Sequence, residues 1–256
     1  MFCKIELIPK TQINEENEEN ITDIIWTFLA ALWNNGQILK NYTVAKDKNY
    51  ILYVTLPKAD SLDKKHDGIY VKQWRQKTNE LFNIIITALG ENIESCDYCE
   101  CTTRVAAEMQ TYSRDIDSVF TCLSCGKPIA LYELPFPGED EKDFYSLHSW
   151  QENFAAMDMI WVNCLCDRYT GNQRVKYDSA LNKQGYGLAK EIEKNLPHPI
   201  YYHLHCDYGN SIKTEELNGK HIHVCPKCQT IMKRVRFTDE IEIDICEKYH
   251  LSYDAH

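Results

Sequence analysis

The chain has 256 residues, 44% of them hydrophobic and 11% aromatic, enough apolar material for one large core or two to three small ones. Its 28 Lys and Arg against 38 Asp and Glu leave a net charge of −10, which opposes nucleic-acid backbones and favours a basic protein partner. No apolar run is long enough to span a membrane, and MFCKIELIPKTQ lacks the apolar stretch of a secretion signal, so the expectation is a cytoplasmic protein without a membrane partner.

In chain order, FCKIELI (Phe2 to Ile8) alternates like a half-buried strand. The acidic run containing Glu15, Glu16, Glu18, Glu19 and Asp23 leads into a helix whose Ile21, Ile24, Ile25, Phe28, Leu29 and Leu32 recur at helical spacing. Acids in a first turn suit the positive end of the helix dipole, and Gly36 marks the stop. Strand-like stretches follow at 38–44 and 50–56. A helix is expected from near Ile69 through Trp74. The apolar run Leu81 to Leu89 is compatible with either strand or helix. This order suggests a ferredoxin-like α+β unit over 1–93.

Two cysteine modules come next. SCDYCEC and FTCLSCG give Cys96, Cys99, Cys122 and Cys125 in a C-x2-C-x22-C-x2-C pattern, with Cys101 as a competing ligand. Pairs at this spacing converge two thiolates on one ion. A helical segment, 138–197, separates the modules. It holds a helix around Leu147, Trp150, Phe154, Met157 and Trp161, then a second between Asp178 and Leu196 weakened by Gly185 and Gly187.

The last segment, 198–256, contains VCPKC. Cys225 and Cys228 are followed by a hairpin around Thr238–Asp239, then by Cys246 and His250. Arg234 and Arg236 are positioned to pair with Glu242 and Asp244 across that hairpin. A two-stranded hairpin alone is marginal in water, so an ion would decide whether it folds. The expected cofactor is therefore zinc, held in two closed sites: Cys96, Cys99, Cys122 and Cys125 in 94–137, and Cys225, Cys228, Cys246 and His250 in 198–256.

Closed sites have no position for a substrate water, so no catalytic residue and no small-molecule substrate is assigned. No phosphate loop, dinucleotide fingerprint, HExxH or GxSxG motif occurs. His203, His205, His221 and His223 would form a rival cluster if their strands paired; the plainer reading is polar-face filler on exposed strands. Cys206 would either join that cluster or merely pack, and Cys3, Cys164 and Cys166 read as structural thiols.

From about Cys96 onward, IALYELP, PHPIYYHL, CPKC and CEKYHLS resemble an uncharacterised bacterial family. It is described as zinc-ribbon-containing, with nucleic-acid binding as a suggested role. The resemblance maps Cys225, Cys228 and Cys246 onto ribbon ligands. The family closes on C-x2-C, where this chain has Tyr249, so either His250 substitutes or the site is degraded. Members also occur beside polymorphic-toxin genes, which implies an immunity protein neutralising a cognate toxin. Nucleic-acid binding is the alternative, and local charge opposes it: 94–128 carries three bases and six acids, and 224–256 five bases and six acids.

The expected fold class is thus α+β: an N-terminal ferredoxin-like unit, a helical segment and two zinc-ribbon modules.

Overall fold

The computed structural model describes residues 1–91, 96–110, 118–163, 165–206, 213–217 and 219–255. Cys164, the 93/94 boundary and the Glu16 side chain lie outside the described residues. The fold is mixed α+β, in two compact units: Met1–Tyr98 with Ala130–Phe144, and Cys99–Ile129 with Tyr145–His256.

The first unit runs β1 (Phe2–Pro9), α1 (Glu15–Asn34), β2 (Thr43–Lys46), β3 (Tyr50–Thr55), α2 (Ile69–Leu81) and β4 (Phe82–Gly90). The sheet order is β2-β3-β1-β4, and every neighbouring pair is antiparallel. Alternation in β1 buries Cys3, Ile5 and Leu7. They share a core with Ile21, Ile25, Phe28, Leu29 and Leu32 of α1 and with Leu52, Val54 and Val71. Burying each such aliphatic side chain stabilises the unit by about 1.5–3 kcal/mol. The acidic run lies within α1, capped by Asn14, whose side chain accepts from the Asn17 N–H. The ambiguous run beginning at Leu81 is resolved at Phe82, where the helix gives way to a strand on the sheet edge.

The second unit draws strands from distant parts of the chain: β5 (Ala107–Met109), β6 (Phe120–Cys122), β7 (Ile200–His203), β10 (Lys233–Arg236), β11 (Glu242–Cys246) and β12 (Leu251–Asp254). Their order is β10-β11-β12-β7-β5-β6, with β12–β7 and β7–β5 parallel. Segments 94–137 and 198–256, separate in the sequence reading, thus share one sheet. A two-stranded ribbon, β8 (Thr214–Leu217) with β9 (Lys220–His223), stands apart from it.

One layer of this unit is helical: α3 (Tyr145–Val162), α4 (Asp167–Val175) and α5 (Ala180–Glu193). Trp150 and Tyr186 pack on Tyr202 of β7, with ring centroids 6.1 Å away in each case. Tyr202 donates from its hydroxyl to Asn182 Oδ1 at 2.9 Å. A second small core gathers Ala106, Leu123, Tyr201, Ile243 and Ile245, so residues from both cysteine modules pack together. Among the described residues, no helix is long and apolar enough to cross a membrane.

The sequence marks Gly185 as a helix weakness. In the structure it makes room: a Cβ there would lie 2.5 Å from Trp150 Cε2, whereas one on Gly187 would meet nothing within 4 Å. Gly185→Ala should cost about 1–3 kcal/mol through overpacking, and Gly187→Ala should be neutral or stabilising. Equilibrium urea unfolding of the two variants checks the contrast; equal effects would mean that the Trp150 contact is not what selects Gly185.

Candidate metal centre

Four sulfurs, those of Cys99, Cys101, Cys122 and Cys125, lie within 4.8 Å of one another; those of Cys225, Cys228 and Cys246 do likewise. All seven cysteines are free thiols. Cys228 Sγ and Cys246 Sγ are 3.8 Å apart, far beyond the 2.05 Å of a disulfide. Both clusters have the donor chemistry to hold a metal ion.

The two tight turns that aim these sulfurs share one hydrogen-bond plan. In the first, the Gly126 N–H donates to Cys122 O at 2.8 Å and the Cys122 N–H to Lys127 O at 2.9 Å. In the second, the Gln229 N–H donates to Cys225 O and the Cys225 N–H to Thr230 O, both at 2.9 Å. The residue after each second cysteine is left-handed, Gly126 at φ 73° and Gln229 at φ 60°. Glycine adopts that conformation without a Cβ penalty, so the first turn is legible in sequence; Gln229 conceals the second.

Cys96 is exposed and is not among the clustered sulfurs; Cys101 takes the fourth place. The Cys101 N–H lies 3.4 Å from Cys99 Sγ, a turn that brings the alternate cysteines 99 and 101 to the same ion-sized space. His250 is not in the second cluster either. Its backbone is left-handed at φ 49°, and its Nδ1 lies 2.6 Å from Glu193 Oε2 and 2.9 Å from Lys190 Nζ on α5. Glu193 is already committed to the fold, because it accepts from the Ile200 N–H at 2.6 Å.

Mutual proximity splits the thiols. Burial raises Cys125 to about 12 and Cys225 to about 12, and neighbouring cysteines reinforce both shifts. The Thr230 hydroxyl, 3.0 Å away, does most to lower Cys228 to about 7. At Cys99, burial acts upward, but hydrogen bonds from Arg104 and its neighbours outweigh it and bring the thiol to about 7. Sulfurs gathered this closely suit a cation, because metal binding favours their deprotonated form.

The histidines do not assemble. β7 and β9 belong to different sheets. His203 is buried against Glu108, and His223 against Asp244, with Nδ1–Oδ2 at 2.8 Å. Exposed filler is thus wrong for these two, because each imidazole meets a buried carboxylate. His205 Nε2 lies 2.6 Å from Arg174 Nη2. Arg234 donates from Nε to Asp244 Oδ1 at 2.8 Å, and Arg236 reaches Glu242 at 3.4 Å, the cross-strand pairs read from the hairpin.

Comparison with known proteins gives relatives without described roles. Residues 4–86 match a domain of unknown function, DUF8589, and residues 101–205 match another, DUF2310. An uncharacterized protein of Haemophilus influenzae is 25% identical over 227 residues, covering 84% of this chain and 83% of that protein. A second uncharacterized protein from the same organism is 34% identical over 83 residues, covering 32% of this chain and 38% of its own length. The solved structure of Rv0793 from Mycobacterium tuberculosis covers 36% of this chain and 96% of its own, at 9% identity and a TM-score of 0.29.

Proposed function

We propose that this chain is a non-catalytic zinc protein that works by binding a basic protein partner, in the manner of an immunity factor masking a cognate toxin. The observation that carries the metal part is the four-sulfur cluster of Cys99, Cys101, Cys122 and Cys125. A Zn–S bond of about 2.3 Å implies a sulfur–sulfur edge of about 3.8 Å in a tetrahedron, compatible with sulfurs gathered within this reach. Four thiolates complete the usual shell of a structural ion and leave it no position for a reacting water.

The two modules are read as zinc ribbons on their C-x2-C turns. The amino-terminal unit is read as ferredoxin-like on its β-α-β-β-α-β order and its strand order 2-3-1-4. The partner is inferred from the net charge of −10, which would speed association with a basic protein, and from the resemblance to immunity-type proteins. Cytoplasmic placement belongs to the same reading, since thiolate sites persist where thiols stay reduced.

Metal analysis tests the first part. The expected content is two zinc ions per chain, falling to one in Cys101→Ser and unchanged in Cys96→Ser; loss of an ion from Cys96→Ser instead would sink the ligand assignment. Co-purification from native lysate tests the second part. One dominant basic protein is expected, with an association rate that falls steeply as salt rises. Recovery of nucleic acid in its place would favour the alternative.

A further inference from the structure

The two clusters differ in one respect that bears on what the protein binds. Among the described residues the first supplies four sulfurs and the second three. The residues that follow Cys246 are directed elsewhere. The backbone carbonyl of Tyr249 accepts from the Tyr186 hydroxyl at 2.8 Å, and its ring centroid lies 4.4 Å from Lys227 Nζ. His250 is held to α5 through Glu193 and Lys190. Cys225 and Cys246 are buried, while Cys228 is half-buried and gives the cluster its accessible side.

We infer that the second centre takes its fourth donor from outside the chain, and that this donor is a thiol. The inference rests on the zinc reading above. Three thiolates against a divalent ion leave a net charge of −1, so a bound water is acidified only weakly. A sulfur-rich set favours a further soft donor, and a thiol completes the shell that the first cluster builds internally. Lys227 lies within the turn between Cys225 and Cys228, and its ammonium is 5.7, 5.2 and 4.4 Å from the ring centroids of Tyr177, Tyr186 and Tyr249. On binding, the thiol gives its proton to solvent and the sulfur lone pair to the ion; nothing is oxidised or reduced. The donor is either a small cellular thiol or a cysteine of a second copy of this chain, and the chemistry is the same for both.

The test replaces zinc with cobalt(II) in the full chain, in thiol-free buffer, and reads the sulfur-to-cobalt charge-transfer absorption. Two cobalt ions are expected on seven thiolates. Glutathione should raise the absorption, saturably, by about one seventh as an eighth thiolate joins. Tyr249→Cys should carry the higher absorption without glutathione and should not respond to it. A protein cysteine as the natural donor would appear as an absorption per chain that rises with protein concentration in the absence of glutathione. Two bound cobalt ions whose spectrum ignores both glutathione and concentration would overturn the inference while leaving the zinc reading intact. A single cobalt ion per chain would overturn the zinc reading of the second cluster, and the inference with it.

Discussion

On the zinc reading, a chelator that strips the ions should unfold the second unit and leave the first folded. A structural zinc contributes on the order of 10–16 kcal/mol of apparent folding free energy in small modules, comparable to the 5–15 kcal/mol that stabilises a whole domain. Two such sites therefore exceed any margin the second unit could hold from packing alone. Its small core explains why the loss should be shared. Leu123 sits between Cys122 and Cys125, and it packs in one cluster with Ala106, Ile243 and Ile245, the last of these adjacent to Cys246. Ion loss at either end releases residues that the other end needs, so Cys125→Ser should remove one ion and destabilise the whole second unit. The first unit is independent: its core of Ile5, Leu7, Phe28, Leu52 and Val54 includes a single cysteine, Cys3, which belongs to neither cluster. Hydrogen exchange before and after chelation separates the outcomes. Protection should vanish from β6, β10 and β11 and persist in β1 and β3; a chelated protein that keeps protection in β11 would refute the structural role of the ions.

The parts of this architecture legible in sequence are those encoded by local periodicity or spacing. Ile21, Ile25, Phe28, Leu29 and Leu32 announce α1 because a 3.6-residue period needs no tertiary information. The Cys122/Cys125 and Cys225/Cys228 turns and the Arg234–Asp244 pairing follow from turn and hairpin geometry in the same way. What was hidden depends on contacts between distant residues. Cys96 and Cys101 are equivalent by composition, and only the path of the chain after Cys99 selects Cys101. His250 fits a ligand pattern by spacing, yet Glu193, 57 residues away, holds its ring. β12 and α4 carry weak periodicity over four and nine residues, and β12 is specified by parallel pairing to β7. The shared sheet was invisible for the same reason: β5 meets β7 across some ninety residues, a long-range choice that no local pattern records.

Replacing Glu108 should strongly destabilise the second unit. Glu108 on β5 is 4% exposed, and it joins the three central strands of the sheet. Its Oε1 accepts from the Ser252 hydroxyl of β12 at 2.6 Å and lies 3.3 Å from His203 Nδ1 of β7. Burial alone would push the Glu108 carboxyl up, but the His203 charge and hydrogen bonds outweigh it and hold the carboxyl below its usual range. Burial would likewise push His203 down, and the Glu108 partnership raises it instead. Removing Glu108 takes away the buried carboxylate that faces His203 and Ser252 and leaves His203 with Asp254 at 3.8 Å, at a cost of about 3–5 kcal/mol. Glu108→Ala should therefore unfold the second unit at a markedly lower urea concentration. Glu108→Gln keeps the shape and loses the charge, so it isolates the electrostatic part. The lowered Glu108 pKa contributes stability above the unfolded carboxyl value of about 4.3 that is lost as pH falls through the folded value. The raised His203 pKa contributes stability below the unfolded imidazole value of about 6.5 that is lost as pH rises through the folded value. The stability gap between the native protein and Glu108→Gln should accordingly peak at about pH 5–6 and narrow on both sides. Urea titrations across pH 4 to 8 measure it, and a gap that stays flat over that range would mean the two groups meet as neutral hydrogen-bond partners and not as an ion pair.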